Sequence, residues 1–342
     1  MPNVHRLQTA EPIQVFRGRL EMRYGRVGDI DRAPLVMPAV DQELDFRLRE
    51  IMERRALTAL FQPIVNLAQG AIDGYEGLIR GPSNSPLHSP LALFGAAAMC
   101  NRSVEVEHLC RRVTLESFAR LCLPGDVFLN VSPDCLLQAE ARYGETLNTV
   151  HELDIDPQRV VIELTEQQLH YDYDSLRKAV GHYRAMGFRI AIDDLGAGFS
   201  TLRLWSELRP EFVKVDMHFI QGCDSDPVKM QFLRSIQAIA RNSGCQVIAE
   251  GIETAAELDC VREVGIARGQ GYYFARPTAT PPRALVGEGA ASFLRRPVAA
   301  ARQTPTAATL LRAVTPVPAT AMIEEAYAIF EHEPNLQNLA VV

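Results

Sequence analysis

Along most of its length the chain alternates between short runs of apolar residues and longer stretches in which apolar positions recur every three or four residues. The short runs read as buried strands and the periodic stretches as amphipathic helices. From Asp41 to Ala56, Leu44, Leu48 and Ile51 fall at helical spacing behind an acidic start, which predicts an opening helix. TALFQPIVNL and AIDGYEGLI follow as strands. The turn-like AQG between them is too short for a crossover helix, so the two must be antiparallel neighbours.

After Glu76 the rhythm becomes helix, then strand. Helices are expected near 96–121, 134–150, 173–186, just after Ser200, near 227–243 and near 254–264, interleaved with the strands VFLNVS, RVVIELTE, FRIAIDD, EFVKVDM, QVIAEGI and QGYYFARP. Alternation on this scale, over about 240 residues, predicts an α/β fold, a (β/α)8 TIM-type barrel with an antiparallel first strand. A doubly wound open sheet would also alternate. Its phosphate-binding turn, however, is matched only by Gly196-Ala197-Gly198-Phe199-Ser200-Thr201, which lacks the last glycine.

The ends read differently. Residues 1–40 mix Arg, Pro and Gly without a period and are expected to form a poorly ordered leader. A closing helix near 281–294 would complete a barrel domain spanning 41–294, followed by a Pro-, Ala- and Arg-rich linker over 295–308. Residues 309–342 look like strand, helix, strand and stop on an apolar run, as though the chain breaks off inside a second domain.

Composition adds boundaries rather than identity. Of 342 residues, 47% are apolar and 23% charged, ordinary for a chain with a sizeable core. A net charge of -7 argues against a basic surface for long nucleic acids, yet leaves room for a small anion bound through cations. The seven cysteines (Cys100, Cys110, Cys122, Cys135, Cys223, Cys245 and Cys260) show no CxxC or zinc-type spacing, so they are expected to be reduced and mostly core-filling. With no apolar signal core and no run long enough to span a bilayer, a cytoplasmic location is expected.

The candidate chemistry lies where the strands end. Glu76, Asn130, Glu163, the pair Asp193 and Asp194, Lys214 with Asp216, and Glu250 each close an apolar run. On parallel strands they would converge on one rim, and a ring of oxygen donors there suits a divalent cation such as Mg²⁺ or Mn²⁺. Adjacent Asp193 and Asp194 would repel each other unless a cation lay between them; a helix cap beside a surface acid is the alternative. Asn130 is either a ligand or a satisfied buried amide. Glu163 should face the barrel mouth and Glu166 a neighbouring loop. Lys214 would orient a nucleophile, or pair with Asp216. Arg80 could grip a phosphate or join a surface ion pair. Gly196 and Gly198 suggest a mobile loop over the cations. His88, His108, Trp205, Tyr272, Tyr273 and Phe274 are read as loop, helix-face or core residues. The reaction this rim suits is two-metal phosphoryl displacement.

In order and spacing, FQPIVNL, YEGLIRGP, FLNVSP, VVIELTE, IAIDDLGAGFS, VKVD, VIAEGIET and QGYYFARP resemble the signature of EAL-domain cyclic di-GMP phosphodiesterases. The resemblance implies hydrolysis of cyclic di-GMP to linear pGpG with Mg²⁺ or Mn²⁺ in a two-metal site. Glu76, Asn130, Glu163 and Asp193 would hold one cation, with Asp193 shared and Asp194 and Glu250 on the other. By the same resemblance, Lys214 would orient the attacking water and Gln62, Leu78 and Arg80 would contact the nucleotide. Glu166 would brace the DLGAGFS loop, and Asp216, Glu253 and Gln270 would support the site; a homodimer is also implied. One departure is Gly77, where the family has Ala, expected to add strand flexibility; another is DLGAG, where Phe and Thr are frequent. The tail resembles the opening of a CBS module, which would take an adenine nucleotide, and SNSPLHSPLALF resembles barrels that precede CBS and GGDEF domains. A catalytically silent cyclic di-GMP sensor is the alternative. The complete ligand set favours catalysis.

Overall fold

The computed structural model describes residues 42–138, 144–164, 172–196 and 201–294. Within them the strands β1 (Thr58–Asn66), β2 (Ile72–Arg80), β3 (Asp126–Val131), β4 (Val160–Leu164), β5 (Arg189–Leu195), β6 (Phe212–Val215), β7 (Gln246–Ala249) and β8 (Arg268–Gly269) close into a barrel in chain order. β1 runs antiparallel to both β2 and β8, and all other neighbours are parallel. The cause is local: Asn66 Oδ1 accepts from the amides of Ala68 and Gln69, and Gly70 turns the chain back with φ 71°.

Helix α1 (Gln42–Glu53) precedes β1. α2 (Pro90–Met99) and α3 (Ser103–Arg120) join β2 to β3; α4 (Pro133–Gln138) and α5 (Gly144–Glu152) follow β3. Next come α6 (Tyr173–Ala185), α7 (Thr201–Leu208), α8 (Met217–Ile220), α9 (Pro227–Ser243), α10 (Ala255–Val264) and α11 (Gly287–Leu294).

Several expected boundaries are corrected. The helix expected over 96–121 is two, because Ser89 caps a helix starting at Pro90 and Asn101 enters the left-handed region with φ 53°. The single helix expected over 134–150 is likewise divided into α4 and α5, and the closing helix starts at Gly287 rather than near 281. The last strand is Arg268–Gly269, not QGYYFARP. Gly271 lies so close to the Ile252 backbone that no side chain fits, and Phe274 and Ala275 donate back to its carbonyl, which curls the segment into a turn. Thr278 then makes an isolated antiparallel bridge to Phe61. The expected leader, linker and CBS-like segment lie outside the described residues.

Strand alternation stacks the barrel interior in layers. Ile64, Phe128, Val161, Ala191, Phe212 and Ile248, none more than 1% exposed, form an apolar plug, with the rings of Phe128 and Phe212 5.4 Å apart. Beneath it the guanidiniums of Arg189 and Arg268 lie 5.3 and 4.9 Å from the Phe212 ring and pair with Asp126 at 2.5 Å and Asp73 at 2.9 Å. The outer faces of the strands meet the helices in a separate, larger core that includes Tyr75, Leu129, Ile162, Ile192, Val213 and Ala249.

Candidate metal centre at the barrel rim

Two residues beyond each plug position on the parallel strands, the inward side chain turns from apolar to polar. Phe128 leads to Asn130, Val161 to Glu163, Ala191 to Asp193, Phe212 to Lys214 and Ile248 to Glu250. A two-residue step keeps the side chain on the same face of the strand, so the plug forms the floor of the site. On the first two strands Gln62 and Glu76 pair in register. Leu78 and Arg80 follow Glu76 on its face.

Asp193 and Asp194 break the alternation. Ile192 pairs with Val213 and Leu195 with Val215, so two aspartates oppose Lys214 alone, and Asp194 takes φ 55°. This bulge lets consecutive carboxylates serve one site. Oxygens of Asp193, Asp194 and Glu250 lie within 4.8 Å of one another, as do those of Glu76, Glu163 and Asp193. Asp193 belongs to both groups.

Lys214, 1% exposed, joins them. Its Nζ lies 3.3 Å from Glu76 Oε2, 3.0 Å from Glu163 Oε1, 3.0 Å from Asp193 Oδ1 and 2.8 Å from Glu250 Oε1. The alternative pairing with Asp216 does not form among these contacts; Asp216 instead caps α8 by accepting from His218 N at 2.8 Å. Glu76 is further held by Asn130 Nδ2 at 3.1 Å and Gln270 Nε2 at 2.7 Å. Gln270 also donates to Gln62 Oε1 at 2.9 Å, and Gln62 donates to the Ala275 carbonyl at 3.2 Å.

Burial divides the titrations. Burial pushes the carboxyls of Glu163 and Glu250 well above the usual range despite Lys214, and raises Asp193 less far. Asp194 is pushed up to about 6, first by burial and then by the charge of Asp193. Glu76 is also buried, but Lys214, Gln270 and Asn130 together outweigh that and hold it low. Burial lowers Lys214, and the four carboxylates more than reverse the effect, so its ammonium is held charged well above the ordinary value.

The donor set fits hard divalent cations. Five carboxylates against one ammonium carry a formal charge of −4, the charge two divalent ions would balance. Glu163 is fully buried, yet neither of its oxygens accepts a hydrogen bond; its 3.0 Å approach to Lys214 is an ion pair without hydrogen-bond direction. Asp193 Oδ1 is in the same position. Buried carboxylate oxygens without donors are what a cation would satisfy.

The EAL domain family model matches residues 46–277. This chain belongs to the EAL domain family. It is 28% identical over 251 residues to the cyclic di-GMP phosphodiesterase NbdA of Pseudomonas aeruginosa, covering 72% of this chain and 32% of that protein. The chain thus spans about a third of the length of the curated relatives it matches. A standalone versatile EAL protein from Vibrio cholerae O395, solved in its c-di-GMP-bound form, superposes with TM-score 0.63 at 29% identity, covering 68% of this chain and 97% of that one. Klebsiella pneumoniae BlrP1, solved as a manganese and cy-diGMP complex, gives TM-score 0.61 at 28% identity, covering 65% and 56%.

Within this EAL barrel, Gly77 has a packing role rather than a loosening one. A Cβ there would run into Thr114 Cγ2 of α3, so the helix fills the space a side chain on β2 would take. Gly196, at φ 105°, lies against the ring of Phe219 where no side chain would fit. Arg80 is half-buried and donates to the Ile79 carbonyl at 2.8 Å, and Leu78 is half-buried beside it. Glu253 is exposed and contributes its amide rather than its carboxylate, donating to Glu257 Oε2 at 2.9 Å. Glu166 and Gly198 lie outside the described residues.

Sequence reasoning missed two buried glutamates. Glu107 accepts from Ser132 Oγ at 2.5 Å and Ser132 N at 3.1 Å, just past Asn130, and lies 3.6 Å from Arg111. Glu257 closes a capping box with Thr254, a pattern the T-x-x-E spacing announces. Tyr272, read as core, is 48% exposed with the Arg276 guanidinium 4.0 Å from its ring, and Cys122 is exposed. Trp205 and Phe274 are buried as expected. A cavity of about 350 Å³ between α3 and α5 is lined by His108, Arg112, Glu145 and Glu152, with the His108 ring 3.1 Å from Glu145 and Arg112 paired with Glu152 at 2.8 Å; none of the rim carboxylates reaches it. Among the described residues no helix is long and apolar enough to cross a membrane.

Proposed function

We propose that this chain hydrolyses one phosphodiester bond of cyclic di-GMP to linear pGpG at the barrel rim, with Mg²⁺ or Mn²⁺ in a two-metal site. The observation that carries the reading is the pair of oxygen clusters sharing Asp193, built around Glu163, a buried carboxylate approached, among the described residues, only by the Lys214 ammonium and only at Oε1. Glu76, Asn130, Glu163 and Asp193 would hold one cation, and Asp193, Asp194 and Glu250 the other. Such a pair supplies a nucleophilic water at neutral pH and offsets charge on the phosphoryl oxygens.

The chain's own side chains do the rest. Lys214 is kept charged by four carboxylates and orients the attacking water through its Nζ. Arg80 takes a phosphate oxygen, exchanging its bond to the Ile79 carbonyl, while Gln62 and Leu78 meet the nucleotide. Gln270, just past the last strand, fixes Glu76 and Gln62 together. Asp216 and Glu253 support the loops that follow β6 and β7, and Glu166 braces the loop after Gly196. The barrel domain is taken as 41–294, the linker as 295–308 and the CBS-like segment as 309–342. A homodimer and an adenine-nucleotide ligand at that segment complete the reading.

Incubating the purified chain with cyclic di-GMP and Mg²⁺ or Mn²⁺ should release pGpG, resolved by chromatography, and Glu76→Ala should abolish it. Intact cyclic di-GMP after incubation with folded, Mn²⁺-loaded protein would sink the proposal.

A further inference from the structure

The loop after β6 begins next to Lys214 and the loop after β7 carries Glu250, one member of the second oxygen cluster, and the two loops are joined near the rim and further out. The loop after β6 leaves Lys214, turns through α8 and reaches Gly222; the loop after β7 leaves Glu250 and enters α10. Near the rim, Gly251 lies against Met217 with no room for a side chain, and Glu250 N donates to the Val215 carbonyl at 3.1 Å. Further out, beside a contact between Cys223 and Cys260, the joint is made by one carboxylate. Glu257, 5% exposed, accepts from Gly222 N through Oε1 at 3.0 Å, and from Glu253 N and Thr254 N through Oε2 at 2.9 and 3.0 Å. All three groups facing it are donors, so only a carboxylate satisfies them all.

The helix cap needs one of these oxygens. Glu257 N and Thr254 Oγ1 complete the capping box at 3.2 Å, and the box would stand without Oε1. Oε1 instead ties the β6 loop to the β7 loop. We infer that Glu257 is a positioning residue that sets the spacing between Lys214 and Glu250, and thereby the affinity for its cation of the cluster that Glu250 completes with Asp193 and Asp194. The inference rests on the two-metal reading above. Glu257 touches neither cation nor substrate; it acts through Gly222 and Glu253. Only one of the two clusters includes Glu250, while Glu76 and Glu163 of the other sit on β2 and β4 away from both loops, so the two cation sites should respond differently.

The test separates cap from clasp. Glu257→Gln keeps an oxygen for the capping box but turns an amide N–H₂ toward Gly222 N, donor against donor. Thr254→Ala removes the cap side chain and leaves the clasp. Mn²⁺ is titrated by calorimetry into wild type and each variant without substrate, and kcat and KM for cyclic di-GMP are measured alongside. With Glu257→Gln, one of two Mn²⁺ sites should weaken about 10–100-fold and the other stay unchanged. kcat should fall while KM holds, because Gln62, Leu78 and Arg80 are untouched. Thr254→Ala should lower the melting temperature and leave both affinities alone. If Glu257→Gln does not fold, Glu257→Asp serves, since its shorter arm cannot span both loops. Wild-type affinity at both sites in a folded Glu257 variant, or equal weakening of both sites, overturns the inference and leaves the function standing. Wild type that takes up no Mn²⁺ overturns both.

Discussion

Lys214 offers the most direct measurement of what holds the rim together. Its Nζ lies 2.8–3.3 Å from four carboxylates, and the side chain is 1% exposed. Lys214→Met keeps most of the volume and removes the charge. Taking one partner from a buried ionic cluster costs about 3–5 kcal/mol, and at about 2–4 °C per kcal/mol for a domain of this size the melting temperature should fall about 6–20 °C in chelator. The deficit has a sign in pH. Glu163 and Glu250 have folded pKa values raised above their unfolded ones, so they favour the fold while protonated and lose that stability as pH rises through the folded values. Without the ammonium this loss deepens, and the deficit should be larger at pH 8 than at pH 6. Excess Mn²⁺ should close most of it, because cations bind the native cluster, while turnover stays low. Scanning calorimetry of both proteins at the two pH values, in chelator and in Mn²⁺, decides the matter. A variant that melts with wild type in chelator, or a deficit that grows as pH falls, refutes the electrostatic account.

Two further outcomes follow from other parts of the site. Mn²⁺ affinity should rise from pH 5 to pH 8, because Asp194, pushed up to about 6, and Glu163 and Glu250, raised by burial, hold protons that a cation must displace; calorimetry in two buffers of different ionisation heat would register the released protons, and pH-independent affinity with none released would contradict it. Gly251→Ala should cost about 1–3 kcal/mol in denaturant unfolding, since φ is 71° and the new methyl meets Met217 Cβ. Adding Met217→Gly, which removes the Cβ that the new methyl meets, should recover the steric part only, so full recovery would refute the backbone contribution.

Much of this was legible because a barrel strand is a period-two object. The residues that line the rim sit two positions past the plug, so the runs ending in Asn130, Glu163, Asp193, Lys214 and Glu250 declared both the strands and the chemistry. The short turn at Asn66 forced the antiparallel start. What remained illegible depended on close approach between distant segments. Gly271 against Ile252 shortened the last strand to two residues, and Thr114 against Gly77 turned an apparent loosening into a packing match. Asn101 broke a helix by adopting a backbone region that its neighbours gave no sign of.

The sequence by itself determined the order of strands and helices, the sense of the first strand and the set of oxygen donors, because these follow from periodicity, link length and residue type. Only the tertiary structure decided how the donors divide. The bulge that aims Asp194 beside Asp193, the choice of Lys214 for four carboxylates rather than Asp216, and the use of Glu257 instead of Glu253 between two loops all depend on distances across the barrel mouth. Those distances are set by closure of the sheet, which no local pattern encodes.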